Sequence, residues 1–115
     1  MNNRIKRVAF ADKSIFDSFQ KLKYGKFEER QLAACVQRAI DDLKENPFAG
    51  IAIPRRLWPR DYIKKFSIDN LREYDLPKGW RLIYTVQGNE IEIISIILEW
   101  LSHKEYEKRF KYNVK

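Results

Sequence analysis

Residues 70–106 read NLREYDLPKGWRLIYTVQGNEIEIISIILEWLSHKEY, and three strand-like runs follow one another there with little between them. Residues 80–87 (WRLIYTVQ) and 90–98 (EIEIISIIL) are rich in β-branched and aromatic side chains. Gly88-Asn89 separates them, and both residue types tolerate the positive φ of a short hairpin. Residues 70–76 (NLREYDL) come first, set off by Pro77-Lys78-Gly79, a second turn signal. Runs joined by turns this short pair as an antiparallel meander, because a parallel pair needs a long crossover.

The alternation within these runs is asymmetric. Leu82, Tyr84 and Val86 share one face of the middle run with Trp80, and Arg81, Ile83 and Thr85 share the other. On the last run Ile91, Ile93, Ser95 and Ile97 oppose Glu92, Ile94, Ile96 and Leu98. Both faces are apolar toward its end, which predicts a central strand covered on both sides. Arg81 then lies on a strand among apolar neighbours, a costly position for a guanidinium unless it is paired or faces a cleft. Glu92 and Glu99 are the plain cross-sheet partners for it.

Upstream, residues 4–10 (RIKRVAF) alternate weakly and read as a first strand that joins the meander. Asp12 is an N-cap, and Ile15, Phe16, Phe19 and Leu22 mark one face of a helix of about three turns. Gly25 ends it. Residues 27–45 form a second helix, with Leu32, Cys35, Val36, Ala39, Ile40 and Leu43 as a continuous stripe, stopped by Asn46-Pro47. In residues 47–69, Pro47, Gly50, Pro54 and Pro59 argue against a long regular element. Trp58-Pro59 reads as a loop anchor and residues 61–68 (DYIKKFSI) as a short strand or turn. The expected fold is α+β: two N-terminal helices in an αα-hairpin, packed on a small antiparallel sheet. The order is β-α-α-β-β-β with a short C-terminal helix, in one domain over residues 1–115.

Length and composition fit one modest core, with 44% hydrophobic and 14% aromatic residues. No apolar run reaches the roughly 20 residues of a membrane span. Residues 1–15 lack the apolar stretch of a signal peptide, so a cytoplasmic location is expected. Cys35 is the one cysteine and His103 the one histidine, so neither an internal disulfide nor a metal site is expected, and no cofactor. The net charge of +7 is unevenly spread: Arg55, Arg56, Arg60, Lys64 and Lys65 stand close together against Asp61 alone. Such a surface suits something acidic, whether nucleic acid, an anionic membrane surface or an acidic partner protein, with plain solubility as the rival reading.

The order strand, helix, helix, meander resembles the RelE/ParE superfamily of toxins from type II toxin–antitoxin pairs. The residues that carry the likeness are Trp80-Arg81-Leu82-Ile83-Tyr84, which look like the family's "yRliY" strand. His103-Lys104-Glu105-Tyr106 after the last strand adds to it, as does the amphipathic helix ending in Glu45-Asn46-Pro47 with Gly50 beyond. The similarity runs from about Arg4 to Phe110. It implies a toxin, monomeric or homodimeric when free, that is neutralised by a cognate antitoxin protein. Many members cut mRNA on the ribosome without metal; the ParE-like branch inhibits gyrase and cleaves no RNA. Here the last helix reads HKEYEKRF where several relatives carry a basic pair followed by tyrosine, so an inactive partner-binding member is a third reading.

Metal-free RNA cleavage needs help for the attacking 2′-OH, a proton for the leaving 5′-oxygen and cations on the phosphorane. The resemblance implies Arg81 for the phosphorane, His103 as acid or base, and Tyr106 for stacking or proton transfer. Tyr106 falls three positions after His103 and can share its helical face. Arg55, Arg56, Arg60, Lys64, Lys65 and Lys104 are the expected RNA-binding cations, with Lys64 and Lys65 also able to polarise the attacking hydroxyl. Glu73 and Asp75 are further carboxylates able to act as a base, or simply to pair at the surface.

Overall fold

The computed structural model describes residues 3–111; Met1, Asn2 and residues 112–115, which the single-domain expectation includes, lie outside the described residues. A five-stranded sheet has the order β1-β5-β4-β3-β2. Its strands are β1 (Ile5–Phe10), β2 (Ile51–Ala52), β3 (Arg72–Asp75), β4 (Arg81–Gly88) and β5 (Glu92–Leu101). The helices are α1 (Lys13–Lys23), α2 (Phe27–Glu45), α3 (Arg60–Phe66) and α4 (His103–Lys111). The α+β class, the αα-hairpin and the antiparallel β3-β4-β5 meander are as the sequence predicts. β1 joins in parallel beside β5, making the sheet mixed and β5 an interior strand next to the β1 edge.

Side-chain caps open α1, α2 and α4. The Asp12 carboxylate accepts from the Ile15 amide (3.0 Å) and opens α1. The bonds from Ser14 and from that amide also hold the Asp12 carboxyl below its usual range. Glu29 accepts from the Lys26 amide at the start of α2 (2.8 Å), and the chain leaves at Asn46. The Ser102 hydroxyl accepts from the Glu105 amide while Glu105 accepts from the Ser102 amide, a reciprocal cap for α4.

Two apolar layers flank the sheet. Leu82, Tyr84 and Ile97 pack against Phe19, Val36 and Leu43 of the αα-hairpin. On the other face Ile83, Leu98 and Leu101 pack against Trp58, Tyr62 and Phe110. The second layer depends on a helix that the sequence reading gave as a short strand or turn. Pro59 precedes α3, Tyr62 and Phe66 fall four apart on its inner side, and Ser67 closes it in the left-handed conformation (φ 51°). Trp58 does anchor its loop, donating Nε1–H to the Ile53 carbonyl at 2.7 Å.

The β4–β5 connection also differs from the expectation. Neither Gly88 nor Asn89 takes a positive φ; instead the Asn89 side chain accepts from the amides of Ile91 (2.8 Å) and Glu92 (3.0 Å). In the β3–β4 connection Lys78 (φ 62°) and Gly79 (φ 81°) do turn left-handed. Further along, the β4–β5 register slips between Ile83 and Tyr84: Ile83 faces Glu99, Tyr84 faces Ile97, and Leu98 is the extra residue. A bulge of this kind re-aims side chains, and here Glu99 joins Leu98 on the α3–α4 face.

Candidate active site around Arg81

The hairpin turn at Lys78-Gly79 sets the register that builds this site. It brings Asp75 opposite Arg81 and Glu73 opposite Ile83, all on the α3–α4 face. Arg81 Nε lies 3.2 Å from Glu73 Oε2 and 3.1 Å from Asp75 Oδ1, and its Nη1 donates to the Gly79 carbonyl at 3.0 Å. The partners of Arg81 are therefore on β3. Glu92 bonds Arg7 and Glu99 bonds Arg109, so the cross-sheet pairing expected from alternation alone does not form. The bulge at Leu98 brings Glu99 to the same face as Arg81, but its carboxylate there is held by Arg109 and Tyr62.

From α4, Tyr106 reaches back over the same group. Its hydroxyl donates to Glu73 Oε1 at 2.5 Å, and the Arg81 guanidinium sits 4.9 Å above its ring centre. Phe110 stacks behind the ring at 4.5 Å. Burial, reinforced by the Glu73 carboxylate, pushes the Tyr106 hydroxyl well above the ordinary phenol range, so it stays a proton donor. The Glu73 and Arg81 side chains are 16% and 22% exposed, which makes this a half-buried cluster with one open side. Asp75, 65% exposed, forms its rim.

His103 stands at the mouth rather than inside. Its side chain is 61% exposed and lies 3.6 Å from Glu107. Its link to Arg81 is steric and runs through Gly79: a Cβ on residue 79 would come within 3.0 Å of the His103 Cβ. The site thus gathers Arg81, Tyr106 and Glu73, with His103 beside them.

The expected RNA-binding cations do not all gather there. Arg55 lies over the Trp58 ring at 5.0 Å, and Arg56, Arg60 and Lys104 are exposed. Lys64 and Lys65 line a separate cleft of about 710 Å³ between α1, α3 and the end of β5. Tyr62, Glu99 and Arg109 also line it, and sequence reasoning missed them. The Tyr62 hydroxyl donates to Glu99, and Arg109 Nη1 bonds the same carboxylate at 2.7 Å. Burial, then the Glu99 charge, raises the Tyr62 hydroxyl far above the phenol range. No sequence signal marks a bulge, so nothing in the alternation points Glu99 this way.

Among the described residues no three His, Cys, Asp or Glu side chains group to hold a metal ion. No helix of the described chain is long and apolar enough to cross a membrane. No family model, curated protein or solved structure matches the chain.

Proposed function

We propose that the protein is the toxin of a type II toxin–antitoxin pair, of RelE/ParE kind, and a metal-independent mRNA endoribonuclease acting on the ribosome. The observation that carries the reading is the half-buried set of guanidinium, carboxylate and phenol at Glu73, Arg81 and Tyr106, with a histidine at its mouth. In this reading the phosphate of a bound strand takes the place of Asp75 on Arg81, whose fork matches phosphate oxygens and stabilises the phosphorane. Glu73 accepts the 2′-OH proton, and the proton it gains leaves one fewer charge beside the phosphate. Tyr106 orients Glu73 and shields it from water. His103 gives a proton to the leaving 5′-oxygen. The products are a 2′,3′-cyclic phosphate and a 5′-hydroxyl. The basic surface supplies charge for single-stranded RNA, and the part-exposed Phe66 ring a surface for stacking. A cytoplasmic location, a cognate antitoxin and a monomer or homodimer when free belong to the same proposal.

A second reading, a non-enzymatic toxin that binds a target such as gyrase, draws on one observation. Arg81 already has two carboxylates and a carbonyl as partners, which a phosphate must displace. Induced expression in cells, with growth and primer extension on a reporter mRNA followed together, separates the two. Codon-phased cuts that vanish in Arg81→Ala support the nuclease. Growth arrest with intact mRNA, persisting in Arg81→Ala, contradicts it and favours the second reading.

A further inference from the structure

The cleft beside Glu99 takes no part in the reaction proposed above. Its volume of about 710 Å³ is that of a small-ligand pocket. It opens where β1 ends: the Ala11 amide makes a last bond to the Ile97 carbonyl (2.9 Å), and from there to Leu101 β5 is paired on its β4 side only. Three chemistries meet in its lining. Lys64 and Lys65 line it from α3 beside Asp61, with Lys65 3.9 Å from Asp12, Phe66 and Trp100 add aromatic surface, and Glu99 lines it from β5. Tyr62 and Arg109 both bond Oε2 of Glu99, and the side chain is 26% exposed.

We propose that this cleft takes one unstacked nucleotide of single-stranded RNA, its phosphate on Lys64 and Lys65 and the donor edge of its base on Glu99 Oε1. The ligand that answers such a lining carries an anion at one end, N–H donors at the other and a flat ring between. Guanine fits best, because N1–H and N2–H₂ lie side by side toward a carboxylate. Uracil offers one N–H flanked by two carbonyl oxygens, which the carboxylate repels. Inorganic phosphate can use only the lysines. The ligand class rests on the RNA reading above, but cleavage does not enter into it.

Titration calorimetry of the whole protein with 5′-GMP, 5′-UMP and inorganic phosphate tests the assignment. The expected result is GMP binding about tenfold tighter than UMP. Lys64→Ala with Lys65→Ala weakens both nucleotides, and Glu99→Gln, which turns an acceptor into a donor, abolishes or reverses the GMP preference. Arg81→Ala leaves GMP binding intact. GMP held no tighter than phosphate, a preference unchanged in Glu99→Gln with its melting temperature preserved, or binding lost in Arg81→Ala would overturn the proposal. The lysine pair, exposed on α3, provides a variant that does not depend on the Tyr62–Glu99–Arg109 bonds. Base-selective binding without mRNA cleavage sinks the nuclease and keeps the cleft. Cleavage with no nucleotide bound at the cleft does the reverse.

Discussion

At the scale of single residues, buried polar groups give the sharpest tests. The Tyr84 hydroxyl, on a side chain with no exposure, accepts from the Gly50 amide (3.0 Å) and donates to the Pro47 carbonyl (2.8 Å). Gly50 has no room for a side chain there, since a Cβ would meet the Glu73 carbonyl at 2.4 Å. Tyr84→Phe strands both backbone groups and costs about 1–3 kcal/mol, measured as a lowered urea midpoint with unchanged slope. Ser95 is the opposite case: its hydroxyl is buried with no hydrogen-bond partner among the described residues. Ser95→Ala therefore leaves stability unchanged or raises it by about 1 kcal/mol in the same melts. In the candidate site Glu73→Gln keeps an acceptor for Tyr106 but cannot take a proton. Single-turnover cleavage should fall about 100-fold or more, with the fold intact by circular dichroism.

At the scale of elements, α4 and the β3–β4 turn are coupled through Gly79. A residue with a Cβ there strains a φ of 81° and pushes on His103, so Gly79→Ala costs about 1–2 kcal/mol and loosens α4. Amide exchange in residues 103–111 reads that loosening directly; unchanged protection would contradict it. The elements also show what the sequence makes legible. The αα-hairpin, the meander and the interior place of β5 follow from periodicity and turn residues, because burial on one or two faces writes itself into alternation. Arg81 and Tyr106 stand together in the candidate site that the resemblance suggests, and the pairing of Arg81 with Glu73 and Asp75 follows once the Pro77-Lys78-Gly79 register is counted. The helix α3 was hidden by the prolines around it, although Tyr62 and Phe66 four apart were its signature. The bulge at Leu98 left no mark, since one extra residue in an apolar run looks like more strand, and with it Glu99 and its cleft were lost.

For the whole molecule, three tyrosines tie the layers through carboxylates: Tyr62 to Glu99, Tyr74 to Asp42 and Tyr106 to Glu73. Burial and the neighbouring carboxylates raise all three hydroxyls, Tyr74 to about 12. In the unfolded chain they ionise near pH 10, so above that the folded state holds more protons. The stability they contribute is fully present below pH 10 and drains away as pH climbs toward 12. Unfolding at pH 8 and pH 11 should differ by about 1 kcal/mol or more, the rise at Tyr74 being discounted for solvent screening. A flat profile would contradict the three tethers. The charge of +7 favours an acidic partner, and the proposed function takes that partner to be RNA. The most direct test incubates purified protein with mRNA-programmed ribosomes and determines the ends of any fragments, comparing wild type with Arg81→Ala. The account predicts a 2′,3′-cyclic phosphate on the upstream fragment and a 5′-hydroxyl on the downstream one, both absent with Arg81→Ala. Intact mRNA, or fragments bearing a 5′-phosphate, would contradict it.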